Sequence, residues 1–250
     1  YCRSRPDYVE AEALGRVAFL AEVAGADVYA VHVTNRAALR VLEQARERHD
    51  RIFVETCPHY LTLDVDAPCG VYGKVNPPLR TADDRAALWD AVADGFVDAI
   101  GSDHVPRHRS FKERDLASAS AGFPGMQTLL PLLLSEGHLK RGIPLERIVD
   151  LVSTRPAQLF GLAPAKGAIR PGADADLVVV DLDAPAVITA ETQLSGAEYT
   201  PWEGWETRCS VVHTLVRGEF AFGDGAPVPG ARGRYVRRPA SGTVALEALA

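Results

Sequence analysis

Only four cysteines occur in the 250 residues (Cys2, Cys57, Cys69 and Cys209), and no two stand in a C-x-x-C spacing. That argues against a disulfide framework and suits a reducing compartment, so a cytoplasmic location is expected. No apolar run approaches the ~18 residues of a membrane span. There is no basic run and the formal net charge is −6, which speaks against a nucleic-acid surface. No internal repeat is present. Methionine is scarcer still, with Met126 alone, and the chain opens Tyr1-Cys2-Arg3-Ser4 without a signal-peptide pattern. The expectation is that the natural protein starts upstream of Tyr1. What the chain does have is a globular composition, 47% hydrophobic and 24% charged, sized for one large domain or two small ones.

The first hundred residues alternate. Val9, Ala13, Val17, Leu20 and Ala24 recur at helical spacing ahead of Gly25, which predicts an amphipathic helix over 7–25. Val28 to Val33 reads as a strand ending in His32. Asn35 can cap a helix carrying Ala38, Leu39, Leu42 and Ala45. Arg51 to Thr56 reads as a strand, and Thr81 with Asp84 as a capping-box start for a helix through Leu88, Trp89 and Val92. A third strand ends Ala99-Ile100-Gly101-Ser102-Asp103-His104. Helix and strand alternating at short intervals predict parallel βαβ units. Three units cannot close a barrel of eight, so either the sheet is open or further units lie upstream. Helices are predicted over Met126 to Leu134, from Pro144, and from Pro156 to Gly161. From Lys166 the pattern turns to β, with strands at 167–169, 176–181, 211–216 and 219–222.

Polar residues at the C-terminal ends of buried parallel strands are where α/β barrels place their chemistry. His32 and Asp103 both stand there, two strands apart. Each alone has an ordinary reading, His32 as a core histidine and Asp103 as a helix cap. Together, an imidazole and a carboxylate on one barrel mouth are ligands suited to zinc or a similar cation, and a complete site needs more than two. Asp103 could also shuttle a proton.

At this point the chain resembles the cyclic amidohydrolases: dihydroorotases, D-hydantoinases (dihydropyrimidinases) and allantoinases. The resemblance runs from residue 4 to about 222. It is carried by Ser4-Arg5-Pro6, Glu10-Ala11-Glu12, Val31-His32-Val33, Glu55-Thr56-Cys57-Pro58-His59-Tyr60, Asn76-Pro77-Pro78-Leu79-Arg80, Ser102-Asp103-His104, Gly172-Ala173-Asp174-Ala175-Asp176 and Tyr199-Thr200-Pro201-Trp202-Glu203-Gly204. It implies an α/β fold: over 1–164 the C-terminal units of a (β/α)8 barrel with following helices, over 165–226 a small β-sandwich, and over 227–250 an irregular tail. It implies two divalent metals, expected to be zinc, bridged by a carboxylated lysine and hydroxide. His32 and Asp103 match two of the metal ligands, and the others would precede Tyr1.

By the same resemblance Asp103 is the catalytic base and then acid in opening a cyclic amide, dihydroorotase-like, with allantoin, hydantoins or dihydropyrimidines as alternative substrates. Asn76 and His59 match substrate-side positions, although Asn76 also reads as a turn residue before two prolines and His59 as a packing residue. Ala121 and Gly122 match a loop whose backbone reaches the substrate ring. Arg107 stands where dihydroorotases carry a histidine for the substrate carboxylate, and a guanidinium can hold a carboxylate bidentately. Asp174 and Asp176 are expected to be structural. The expected partner is a small cyclic amide, with a homo-oligomer and neither nucleic acid nor membrane. A reading of another class is a catalytically inactive relative serving as an assembly scaffold.

Overall fold

The structure is a computed structural model, and it describes residues 1–230 and 233–238. The part of the tail at 231, 232 and 239–250 lies outside the described residues. Helix α1 (Asp7–Ala24) carries Asp7 and Glu10 in its first turn, where acids favour the helix dipole, and stops at Gly25 with φ 62°. Strand β1 (Val28–Ala30) follows, then α2 (Arg36–Arg46). The Asn35 side chain accepts from the Ala38 amide at 2.8 Å, the cap expected of it.

The apolar stripe of α1 does not face the core as its spacing suggests. Val9, Val17 and Leu20 are 50%, 46% and 58% exposed, while the buried positions are Ala18 and Ala21. The reason is close approach: α2 packs on the small-residue side, where a side chain at Gly15 would already crowd Val41 at 3.3 Å. The larger apolar residues are left outside that contact.

Strand β2 (Ile52–Thr56) pairs in parallel with β1, and β3 (Ala99–Ile100) pairs in parallel with β2, giving the order β1-β2-β3. The parallel alternation is as expected. Between them lie α3 (Pro58–Thr62) and α4 (Ala82–Ala93), the latter opened by the Thr81–Asp84 capping box. At the N-terminal edge of β3, Asp98 is buried and accepts from Arg46 Nη2 at 2.6 Å, Arg155 Nη2 at 3.1 Å and the Val54 amide at 2.7 Å. One carboxylate thus ties the sheet to two helices.

The helix expected from Met126 starts later, as α5 (Leu129–Leu132), and runs on as a widened π-type turn through Leu139. Pro156 stands in the first turn of an α-helix, as expected, but that helix does not start afresh there. A continuous helical stretch runs from α6 (Leu145–Val149) through widened turns at Asp150–Thr154 into α7 (Arg155–Leu159). Widened turns accommodate a residue with no N–H to give.

Beyond these, β4 (Leu177–Asp181) pairs antiparallel with β7 (Ser210–Val216), which continues through β8 (Glu219–Gly223) and β9 (Ala226–Pro227) into a four-stranded sheet. A separate two-stranded ribbon joins β5 (Ala186–Ile188) to β6 (Trp205–Thr207), unanticipated from the sequence. The strand expected at 167–169 is a turn instead, with Gly167 at φ 87° and Ile169 91% exposed, and no strand among the described residues pairs with it. The Asp174–Asp176 pair is structural, as expected: both carboxylates bind Lys166.

Candidate active site

The mouth of the parallel sheet is built by breaking its strands at chosen residues. The expected strand to Val33 is interrupted. His32 adopts φ 44° and leaves the ladder, which resumes when the Val33 amide reaches Glu55 O at 2.8 Å. Asp103 does the same after β3, at φ 43°. A left-handed conformation costs a residue with a Cβ about 1–2 kcal/mol. It serves here to swing the imidazole and the carboxylate off the pleat at the same end of the sheet. Both side chains are half-buried. Burial pushes the Asp103 carboxyl above its ordinary range, and the nearby His32 opposes that rise.

A third group stands between them that sequence reading missed. Glu55 accepts from the Tyr29 hydroxyl at 2.8 Å and from the His32 amide at 3.2 Å, so it holds the kink that aims His32. Its carboxylate also lies where a side chain on residue 101 would be. A Cβ on Gly101 would come within 2.5 Å of it, and only glycine lets Glu55 fit beside the strand that delivers Asp103. Burial raises the Glu55 carboxyl, the Tyr29 and His32 hydrogen bonds lower it, and Asp103 raises it further. The available signal was a charged residue inside the otherwise apolar Ile52–Thr56 strand.

His59, at the start of α3, is fully buried. Its ring meets Phe123 edge-on at 5.0 Å and lies 4.1 Å from the Tyr60 ring, and neither nitrogen has a hydrogen-bond partner. Burial, reinforced by His32, pushes its pKa down to about 3, so the imidazole is neutral. Buried polar atoms are nearly always satisfied, and among the described residues none pairs with the His59 nitrogens, whose ring feels the charge of His32.

Asn76 lines a groove of about 560 Å³ together with His32, Val9, Pro77 and Arg80. Its carboxamide oxygen accepts from the Tyr1 hydroxyl and the Arg5 guanidinium. The motifs flanking it form one network. The Glu10 carboxylate binds the Thr34 amide at 2.8 Å, Asn35 Nδ2 at 2.9 Å and Arg80 Nη2 at 3.3 Å, fixing α1 to the loop after β1. His104 Nδ1 accepts from the Gly125 and Met126 amides at 3.1 and 3.2 Å, which anchors the loop beyond Asp103. Arg107 is exposed, its guanidinium makes no hydrogen bond or ion pair among the described residues, and its charge acts on Tyr199, whose hydroxyl donates to Gly122 O. Cys57 is buried with its thiol pushed up, which makes it inert packing.

Ala121 and Gly122 lie in the loop that folds back over Phe123. Gly122 has φ 96° and presses on Val105 so closely that a Cβ there would be 2.6 Å from Val105 Cβ. Trp202 closes the site from behind, giving its indole N–H to Thr62 Oγ1 at 2.9 Å and meeting Phe123 edge-on at 5.7 Å. Among the described residues no three His, Cys, Asp or Glu side chains converge on a cation position, so His32 and Asp103 supply a pair of donors and no complete set.

In this mixed α/β chain an imidazole and a carboxylate thus stand at the same end of a parallel sheet. The profile of the amidohydrolase family matches residues 11–221, and the chain belongs to that family. It is 39% identical over 244 residues to the D-phenylhydantoinase of Escherichia coli O1:K1 / APEC, with 94% of this chain and 53% of that protein covered. Among solved structures it superposes on the dihydropyrimidinase from Brevibacillus agri NCHU1002 with TM-score 0.87 at 36% identity, covering 91% of this chain and 51% of that one. It also superposes on the D-hydantoinase (dihydropyrimidinase) from Thermus sp., with TM-score 0.86 at 34% identity and the same coverage. The chain therefore spans about half the length of the relatives it matches.

Proposed function

We infer that the protein is a hydrolase that opens a ring C–N bond of a small cyclic amide, dependent on divalent metal. The observation that carries this reading is the joint placement of His32 and Asp103, each kinked out of a parallel strand at the same end of the sheet, beside the orphaned imidazole of His59. The imidazole and carboxylate fit a borderline divalent cation such as zinc. His32 and Asp103 would hold it, as two of the ligands such a cation needs. Bound metal would supply an acidified water and a polarised ring carbonyl. Asp103 takes the proton of the attacking water and returns it to the leaving ring nitrogen, giving an N-carbamoyl acid. Asn76, neutral His59 and the Ala121–Gly122 backbone bind the ring.

The same reading places β1, β2 and β3 as the last strands of a (β/α)8 barrel over 1–164 and the later strands as one side of a β-sandwich over 165–226. Three surfaces support it. The outer edge of β1 has no strand partner among the described residues. The α1 stripe is uncovered. Val178 and Phe220 of the four-stranded sheet are 49% and 51% exposed. A homo-oligomer in the cytoplasm completes the proposal. No helix among the described residues is long and apolar enough to cross a membrane.

For the substrate, the relatives named as hydantoinases favour hydantoin or dihydropyrimidine rings, while Asn76 and His59 favour a dihydroorotate-like ring. The test is metal analysis of the full-length protein with a ring-opening assay on hydantoin, dihydrouracil, dihydroorotate and allantoin. Turnover of one ring with bound metal is expected. Metal-loaded protein that opens none of the four would replace this reading with that of an inactive scaffold.

A further inference from the structure

Two buried lysines have no carboxylate partner among the described residues and take no part in the chemistry above. Lys112 is fully buried, and its Nζ donates to Lys74 O at 2.9 Å, Ser120 O at 3.1 Å and Gly122 O at 3.0 Å. Lys74, also buried, donates from Nζ to Leu116 O at 2.8 Å, Ala117 O at 3.1 Å and Ala119 O at 2.6 Å. All six acceptors are main-chain carbonyls, and five of them belong to the loop 116–122. A buried ammonium without three good acceptors is costly, and an apolar side chain would fill the same space at less risk. Each lysine therefore specifies one backbone conformation of an irregular loop that no helix or strand ladder holds.

That conformation leaves the backbone groups of one residue free. The Ser120 amide is taken by Phe111 O at 2.9 Å and the Gly122 amide by Lys74 O at 2.9 Å. The Ser120 and Gly122 carbonyls go to Lys112, and Gly122 O also receives the Tyr199 hydroxyl at 3.3 Å. Between them, half-buried Ala121 keeps both its N–H and its C=O without a partner among the described residues. One free donor and one free acceptor on the same residue, in two successive peptide units, complement the C=O and N–H of a cyclic amide. The same two lysines bind this loop to the segment that carries Asn76, so both sides of the ring-binding wall are referenced to one pair of cations.

We propose that Lys112 and Lys74 are positioning residues: the Lys112 ammonium takes the Ser120 and Gly122 carbonyls on either side of Ala121, the Lys74 ammonium takes those of Leu116, Ala117 and Ala119, and together they hold the Ala121 N–H and C=O ready for the substrate ring. The proposal rests on the cyclic-amide reading above. Neither lysine touches the reacting atoms, so their loss acts on binding more than on the chemical step.

The test uses Lys112→Met in the full-length protein, with two readouts: residue-resolved amide hydrogen exchange without ligand, and steady-state ring opening. Exchange at Ser120 and Gly122 should rise about tenfold or more. KM should rise about tenfold, the size of one lost charge-assisted hydrogen bond, while kcat changes by less than about threefold. Unchanged exchange would overturn the clamp. Changed exchange with an unchanged KM would overturn its positioning role, as would a fall confined to kcat. If Lys112→Met fails to fold, Lys74→Met, which leaves the three Lys112 bonds in place, is read by the same criteria at Ala117 to Gly122. If the wild-type protein opens no cyclic amide, the positioning role falls with that reading, and the exchange measurement still decides separately on the clamp.

Discussion

Gly101→Ala is a one-carbon test of how the candidate site is spaced. An ideal Cβ at that position would stand 2.5 Å from Glu55 Cδ and 2.6 and 2.7 Å from its two oxygens. Ordinary carbon contacts begin near 3.5 Å, so the carboxylate would have to retreat by roughly 1 Å. The tip of a glutamate usually yields cheaply. This one is half-buried and tied to the Tyr29 hydroxyl and the His32 amide, so retreat loses at least one hydrogen bond to a charged group, about 1.5–3 kcal/mol. Overpacking adds about 1–3 kcal/mol if the strand end gives way instead. Either response moves His32 relative to Asp103, and a displacement of about 1 Å in an active site costs on the order of a hundredfold in rate. We expect kcat/KM for ring opening to fall by about that factor, with a lower melting temperature. Adding Glu55→Asp, one methylene shorter, should recover part of the loss in activity. A Gly101→Ala protein within about threefold of wild type would show that Glu55 is no rigid spacer between the two strand ends.

Asp103→Asn keeps the shape but cannot carry the proton. Turnover should fall at least about a hundredfold with the fold retained by circular dichroism, and kcat within tenfold of wild type would remove Asp103 from the proton transfer. Asp98→Ala leaves Arg46 and Arg155 facing each other at the base of the sheet, and urea unfolding should register a loss of about 3–5 kcal/mol. His59 has a folded pKa near 3 against an ordinary 6.5, so the unfolded chain binds its proton first. Its contribution to stability is therefore complete above pH 6.5 and declines as pH falls toward 3, by about 1.4 kcal/mol at one unit below 6.5. Melting curves across that range should slope less steeply in His59→Phe than in the wild type, and parallel slopes would contradict the buried neutral imidazole.

Local rules made much of this molecule legible. Asn35, Thr81 with Asp84, and Gly25 cap or close helices where their chemistry requires, because capping depends on a few neighbouring atoms. The parallel strand order follows from alternation, and the ends of those strands pointed to His32 and Asp103. Non-local effects were not legible. The exposed stripe on α1 depends on which of two apolar-looking faces α2 meets, and spacing cannot rank alanines against valines for close approach. The kink at His32 arises from a side chain 23 residues away taking its amide. Lys74 and Lys112 look like surface lysines in sequence, since carbonyls from an irregular loop leave no pattern. Pro156 reads as a helix start because a widened turn that tolerates it has no residue signature of its own.

The left-handed backbone at His32 and Asp103 sets stability against activity within this fold. Glycine at either position would relieve the conformational penalty carried by a side chain at φ 44° or 43°. Selection for heat resistance alone would therefore favour replacing the two residues to which the proposed function assigns the chemistry. Improving this protein by melting temperature would drift toward a sturdier and inert scaffold unless turnover is selected alongside. A relative that carries glycine at both positions would be the natural end point of that drift: the same sheet, relaxed, with nothing left at its mouth to hold a metal or move a proton.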